Sequence, residues 1–169
     1  MRLKGKVAIV TGAGSGFGAG IARRFVEEGA KVLVVDIDEK NGRRIAEGLD
    51  SRFFQADVTR GADWARLIAE AGPVNIVVNN AGWTHRRKPY LEVSEAEFDK
   101  VYAVNVKSIY LSALHALPVF RKLGGGCFVN VASTAGVRPR PGLTVYNSSK
   151  GAVILMSKSM AAEFGPDFR

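Results

Sequence analysis

Val7-Ala8-Ile9-Val10-Thr11-Gly12-Ala13-Gly14-Ser15-Gly16-Phe17-Gly18 is the stretch on which the architecture turns. Its first part is continuously apolar, so Lys6 to Thr11 reads as a strand buried on both faces. The glycines then allow the positive φ of a tight turn and a close approach to bare backbone. Ala19 to Glu28 follows as a helix with Ile21, Ala22, Phe25 and Val26 on one side, and Gly29 is its C-cap. Lys31 to Asp36 is a second buried strand. Strand, glycine turn, helix and strand in this order make a parallel βαβ unit. The freed N–H groups at such a helix start attract phosphates, which makes Gly12, Ser15, Gly16, Phe17 and Gly18 candidates for holding a dinucleotide pyrophosphate. Asp36 ends the second strand 18 residues after Gly18. A carboxylate there accepts hydrogen bonds from adenosine ribose hydroxyls and repels a 2′-phosphate, so it argues for NAD over NADP. Neither Ser15 nor Ile37 supplies a compensating cation. The competing reading is a structural turn that binds nothing.

Outward from this unit the alternation continues. Asp38 to Leu49 is helical, and Arg52 to Ala56 is a third strand, with Asp57-Val58 at its carboxyl end, where ligands lie in open parallel sheets. Asp57 either contacts adenine or caps the next helix. Arg60 to Ala71 is a helix whose Trp64, Leu67 and Ile68 form a core stripe. Val74 to Val78 is the fourth strand. Asn79-Asn80-Ala81-Gly82 follows it, suited to line a cofactor groove or to make a plain turn. Ser94 and Glu97 have the spacing of a capping box. A long helix is expected from about Phe98 to Arg121, with Val101, Val104, Ile109 and Leu114 giving it an apolar face and Pro118 kinking or ending it. Cys127 to Ala132 is the fifth strand, followed by Ser133 and a loop from Thr134 to Thr144. Tyr146 to Phe164 is the last helix, stopped by Gly165-Pro166.

The chain has 169 residues, 47% of them hydrophobic, 19 glycines and a formal net charge of +8. That length suits one domain over residues 1–169. No apolar run looks long enough to cross a bilayer and no signal peptide is evident, so no membrane association is expected. The single cysteine, Cys127, is read as buried and inert, which fits a reducing cytoplasm. The basic residues are dispersed, without aromatic interleaving. They read as a solvated surface that also draws anionic ligands, not as a nucleic-acid footprint. His85 and His115 lack companions at ligand spacing, so no metal site is expected.

The last helix begins Tyr146-Asn147-Ser148-Ser149-Lys150. Residues four apart share a helix face, so the phenol and the ammonium project together. A neighbouring cation favours the phenolate and lowers a tyrosine pKa, which suits acid–base work near neutrality. Alone the spacing is equally that of a surface pair. Together, however, Thr11-Gly12-x-x-x-Gly16-x-Gly18, Asp36, Asp57-Val58, Asn79-Asn80-Ala81-Gly82, Asn105, Ser133 and Tyr146-x-x-x-Lys150 resemble the short-chain dehydrogenase/reductase family along essentially the whole chain.

The resemblance implies an α/β doubly wound parallel sheet of the Rossmann type, with five strands in the order 3-2-1-4-5 and helices on both faces. It implies hydride transfer between NAD(H) and a secondary alcohol or ketone. Tyr146 would be the acid/base, and Lys150 would hold the nicotinamide ribose and tune the tyrosine. Ser133 would bond the substrate oxygen, and Asn105 would hold a relay water. Cofactor contacts would come from Gly12, Ser15, Gly16, Phe17, Gly18, Asp36, Asp57, Val58, Asn79, Ala81, Gly82, Tyr146 and Lys150. A homodimer or homotetramer would form through the long helices, with Ile109, Val153, Met156 and Met160 outward. Family members usually continue past the Tyr–Lys helix with further strands and a substrate-covering lid, which this chain lacks. A catalytically inactive dinucleotide-binding or interaction protein is therefore the alternative function. Arg86, Arg87, Lys88, Arg138 and Arg140 lie on loops expected to face the substrate. They are either solvated charge or the grip on an anionic substrate.

Overall fold

The computed structural model describes residues 1–165. Five strands form one parallel sheet: β1 (Val7–Thr11), β2 (Lys31–Asp36), β3 (Arg52–Gln55), β4 (Ile76–Asn79) and β5 (Cys127–Asn130). Their order is β3-β2-β1-β4-β5, as expected. Register follows from the apolar runs: Ile9 lies opposite Leu33 on one side and Val77 on the other. The order reverses beside β1, which puts a crevice at the carboxyl ends of β1 and β4.

Helices cover both faces because consecutive strand residues point to opposite sides. Val10, Val32, Val34 and Val78 pack with Ala22 of α1 (Gly16–Glu27) and Ala46 of α2 (Glu39–Gly48). Ile9, Leu33, Val35 and Val77 pack on the other face with Trp64 and Leu67 of α3 (Gly61–Ala71) and Phe120. Trp64 is 1% exposed, and its indole N–H donates to the Val58 carbonyl at 3.0 Å.

The long helix starts earlier than expected. Ser94 and Glu97 make the capping box, opening α4 (Glu95–Tyr102). A π-helical turn, Ala103–Lys107, then leads into α5 (Ser108–Lys122). The interruption is that wide turn and not Pro118, which sits inside α5 without ending it. Leu114 and Pro118 both lie on the solvent side, so the carbonyl that proline leaves without a partner is not forced into the core. Of the residues expected to give one apolar face, Val101 and Ile109 are buried, but Leu114 is 51% exposed.

Because the rod is continuous from Glu95 to Lys122, it is long and apolar enough by length and composition to cross a bilayer, with a mean hydropathy of 1.2. That corrects the sequence estimate, which saw no run of that length. Its inward side, including Val101, Ile109, Ala116 and Phe120, is buried within the fold.

The fourth strand begins at Ile76 and not Val74, because the Asn75 side chain accepts the Val7 N–H at 2.9 Å in place of a ladder bond. Cys127 is half-buried, not enclosed; burial pushes its thiol pKa up. The last helix, α6, spans Thr144–Phe164. Pro166, expected to help stop it, lies outside the described residues.

Candidate active site

Gly12 and Gly18 of the glycine turn make contacts that leave no room for a side chain. Gly12 has φ +62°, and a Cβ there would stand 2.9 Å from the Ala81 Cα. A Cβ on Gly18 would meet the Gly12 carbonyl oxygen at 2.2 Å and Asn80 Nδ2 at 2.5 Å. Gly18 is thus a packing glycine that brings α1 against the loops. Ser15 is the N-cap of α1 by backbone position, with no side-chain bond to the helix.

Thr11 and Asn80 tie β1 to β4 at the crevice. The Thr11 hydroxyl donates to the Val78 carbonyl and accepts the N–H groups of Asn80 and Ala81, all at 3.1–3.2 Å. Asn80 Nδ2 donates in turn to the Thr11 and Gly12 carbonyls at 2.9 and 3.1 Å.

Two adjoining cavities open here. The first, about 490 Å³, is lined by Gly12, Ser15, Gly16 and Phe17 on one side. Asp36, Asp57 and Val58 face it from β2 and the end of β3, and Ala81 and Gly82 from the loop after β4. Asp36 Oδ2 accepts the Gly14 N–H at 2.8 Å and Oδ1 accepts the Asp38 N–H at 2.9 Å. These bonds fix the carboxylate at the β2 side of the cavity. Asp57 does not cap α3: it accepts the Thr59 N–H and hydroxyl, and its own N–H goes to Asp63. A cradle that a Cβ would fill, a helix start and a fixed carboxylate form a donor set that fits a dinucleotide.

The second cavity, about 640 Å³, shares Phe17, Asn80, Gly82 and Trp83 with the first. Ser133, Tyr146 and Lys150 line it together. Lys150 is 5% exposed, and its ammonium donates to the Val131 carbonyl at 2.7 Å. Nζ lies 6.0 Å from the Tyr146 ring centroid. Burial pushes the lysine pKa below its ordinary value. β5 stops at Asn130, short of the expected Ala132, and the freed Val131 carbonyl becomes the lysine's partner. Ser133 Oγ accepts the Ala135 N–H at 3.1 Å, its hydroxyl has no acceptor among the described residues, and the residue lines the cavity. The short 3-10 turn that this serine caps, Thr134–Gly136, packs on α6 and was not foreseen.

Asn79 and Asn105 sit differently from expectation. Asn79 is turned inward: Nδ2 donates to Ser112 Oγ at 2.9 Å and Asn130 Oδ1 at 2.8 Å, and it lines neither cavity. Asn80, next along, lines both. Alternation along the chain explains why only one of the pair can face the groove. Asn105, in the π turn, clamps the Trp83 backbone through Oδ1 at 2.8 Å and Nδ2 at 2.9 Å, and Nδ2 also donates to Ser149 at 3.0 Å. Both amide N–H groups are spent on protein, so the side chain has no donor left for a water.

Of the five basic loop residues, only Arg140 lines the second cavity. Arg87 donates through Nε to the Pro141 carbonyl, and Lys88 pairs with Glu97 at 2.7 Å. The lysine hydrogen bonds, then the Ser94 N–H, hold the Glu97 carboxyl down at about 2. Trp83, absent from the sequence expectations, forms a wall shared by both cavities, its ring under the Lys100 ammonium at 4.4 Å from the centroid.

Comparison with known proteins matches nearly the whole chain to one family and fold. The family model described as short chain dehydrogenase matches residues 6–167. A 4-formylbenzenesulfonate dehydrogenase of Comamonas testosteroni is 52% identical over 97% of this chain and 69% of its own length. An NADP-dependent (R)-specific alcohol dehydrogenase of Lentilactobacillus kefiri is 40% identical over 96% of this chain and 68% of its own length. A crystal structure of 3-ketoacyl-(acyl-carrier-protein) reductase from Brucella melitensis complexed with NADH superposes with a TM-score of 0.96 at 40% identity, covering 99% of this chain and 74% of the other.

Proposed function

Because the chain belongs to the short-chain dehydrogenase family, we propose that it moves a hydride between NAD(H) and a secondary alcohol or ketone, with Tyr146 as the acid/base. One observation carries the reading: Tyr146, Ser133 and Lys150 line a single cavity that opens into the glycine-turn groove. The nicotinamide supplies the hydride chemistry when bound.

The protein's own groups do the rest. The Ser133 hydroxyl donates to the substrate oxygen, and Tyr146 gives it a proton during reduction or takes one during oxidation. The Lys150 cation, held in place by the Val131 carbonyl, stabilises the phenolate between turnovers. Asn105 positions Trp83 and the start of α6 through its side chain. One relative's name, an alcohol dehydrogenase, supports an alcohol–carbonyl pair as the reactants.

Asp36 supports NAD as the cofactor, through its place at the ribose end of the groove. With a panel of secondary alcohols, absorbance of the reduced cofactor should rise with NAD and at least 10-fold more slowly with NADP, a gap that Asp36→Ala narrows. NAD binding with no turnover across the panel would leave a nucleotide-binding protein. An unchanged NAD/NADP ratio in Asp36→Ala would remove the role given to Asp36.

The homodimer or homotetramer contact is assigned to the outward faces of α5 and α6. Ile109 and Val153, expected there, are 2% and 0% exposed within the subunit; the outward apolar side chains are Tyr110, Leu114 and Leu155. Light scattering at micromolar concentration should give a dimer or tetramer that Tyr110→Glu with Leu114→Glu dissociates. A monomeric wild type would refute the assignment.

A further inference from the structure

The catalytic cavity has an unbalanced charge. Its wall carries two cations, Lys150 and Arg140, and no carboxylate. The lysine is already committed to the Val131 carbonyl inside the fold. Arg140 is on the exposed loop before α6, and its guanidinium has no ion pair or hydrogen bond among the described residues. Only its main chain is used, the carbonyl accepting Asn147 Nδ2 at 2.9 Å. That bond anchors the arginine's backbone to the same helix that carries Tyr146. The other basic loop residues are off the cavity wall, and two of them are tied elsewhere. Phe17, Trp83 and Tyr146 give the cavity aromatic walls, and the Trp83 ring is pinned by Lys100 on one side.

From this we infer that Arg140 is a specificity-determining residue that selects aryl alcohols and ketones bearing an anionic group, a carboxylate or a sulfonate. The inference rests on the oxidoreductase reading for the same cavity. The ring lies against the aromatic walls, the oxygen to be oxidised or reduced meets Ser133 and Tyr146, and the anion takes a forked pair of hydrogen bonds from the guanidinium. Because the guanidinium is exposed, salt screens the attraction, and the preference falls as ionic strength rises.

The test compares 1-phenylethanol with its 4-carboxylate and 4-sulfonate derivatives on the full chain with NAD. Wild type should prefer the anions. Arg140→Gln should lower kcat/KM for the anions by about 10- to 100-fold, mostly through KM, and leave the neutral alcohol unchanged. Arg140→Lys should recover part of the loss. Equal effects on neutral and anionic alcohols would overturn the inference. Benzenesulfonate binding to the NAD-loaded protein, by calorimetry, gives a readout free of turnover. If no alcohol is oxidised, the oxidoreductase reading fails. Weakened benzenesulfonate binding in Arg140→Gln would still support the anion grip, and unchanged binding would end it.

Discussion

Replacing Tyr146 by Phe should reduce kcat by about 10²- to 10⁴-fold, the range a positioned acid/base contributes. The substitution removes one oxygen and keeps the ring beside the Lys150 ammonium. The hydroxyl has no protein partner among the described residues, so its loss leaves no buried group unsatisfied. Neither fold nor nucleotide site should suffer: the main-chain carbonyl of residue 146 still accepts the Ser149 hydroxyl, and the glycine turn is untouched. The expected result is therefore a protein that melts at the same temperature and binds NAD with the same affinity, read by fluorescence, but turns over slowly at every pH. A variant within about 10-fold of wild type would take proton transfer away from this residue.

The second large effect is on stability. Trp64→Ala should cost about 3–5 kcal/mol, measured as a lower urea midpoint. Native stabilities run to about 5–15 kcal/mol, so the change would remove a large share of the total. The indole fills the layer between α3 and the sheet, in one buried cluster with Leu67 and Phe120. Truncation also strips the Val58 carbonyl of its donor. Trp64→Phe separates the two terms: it restores most of the volume and leaves only the unpaired carbonyl, about 1–3 kcal/mol. Since Val58 lines the groove proposed for the cofactor, NAD affinity should fall in both variants. A loss below about 1 kcal/mol for Trp64→Ala would show that the site collapses around the gap.

Much of this was legible in the sequence where chemistry is local. Apolar runs of four residues marked β1 and β2, and the glycines between them marked a turn whose conformation few other residues allow. Tyr146 and Lys150 were legible because helical spacing alone puts them on one face. What stayed hidden depends on partners distant in the chain. Nothing near Asn79-Asn80 says which amide turns inward; Ser112 and Asn130, more than 30 residues away, settle it. Nothing in Pro118 foretells that solvent on that face of α5 lets the helix run on. Asn105 was singled out from the resemblance, but its π turn and its grip on Trp83 come from packing between the long helix, the loop after β4 and α6. Ile109 and Val153 were placed outward because they are apolar and helical. Which side of a helix meets its own core is decided by the register of the complete rod, and that was misjudged.

The weld between Thr11 and Asn80 has a thermodynamic consequence. A dinucleotide entering the crevice would find its floor already rigid, so little loop entropy remains to be lost at that step. The cost of ordering is met during folding, as one continuous plate spanning two strand ends. Affinity at such a surface is governed by how well a visitor's shape matches it, and substitutions at this weld would first be felt as a slackened plate, before any direct contact with the visitor is lost.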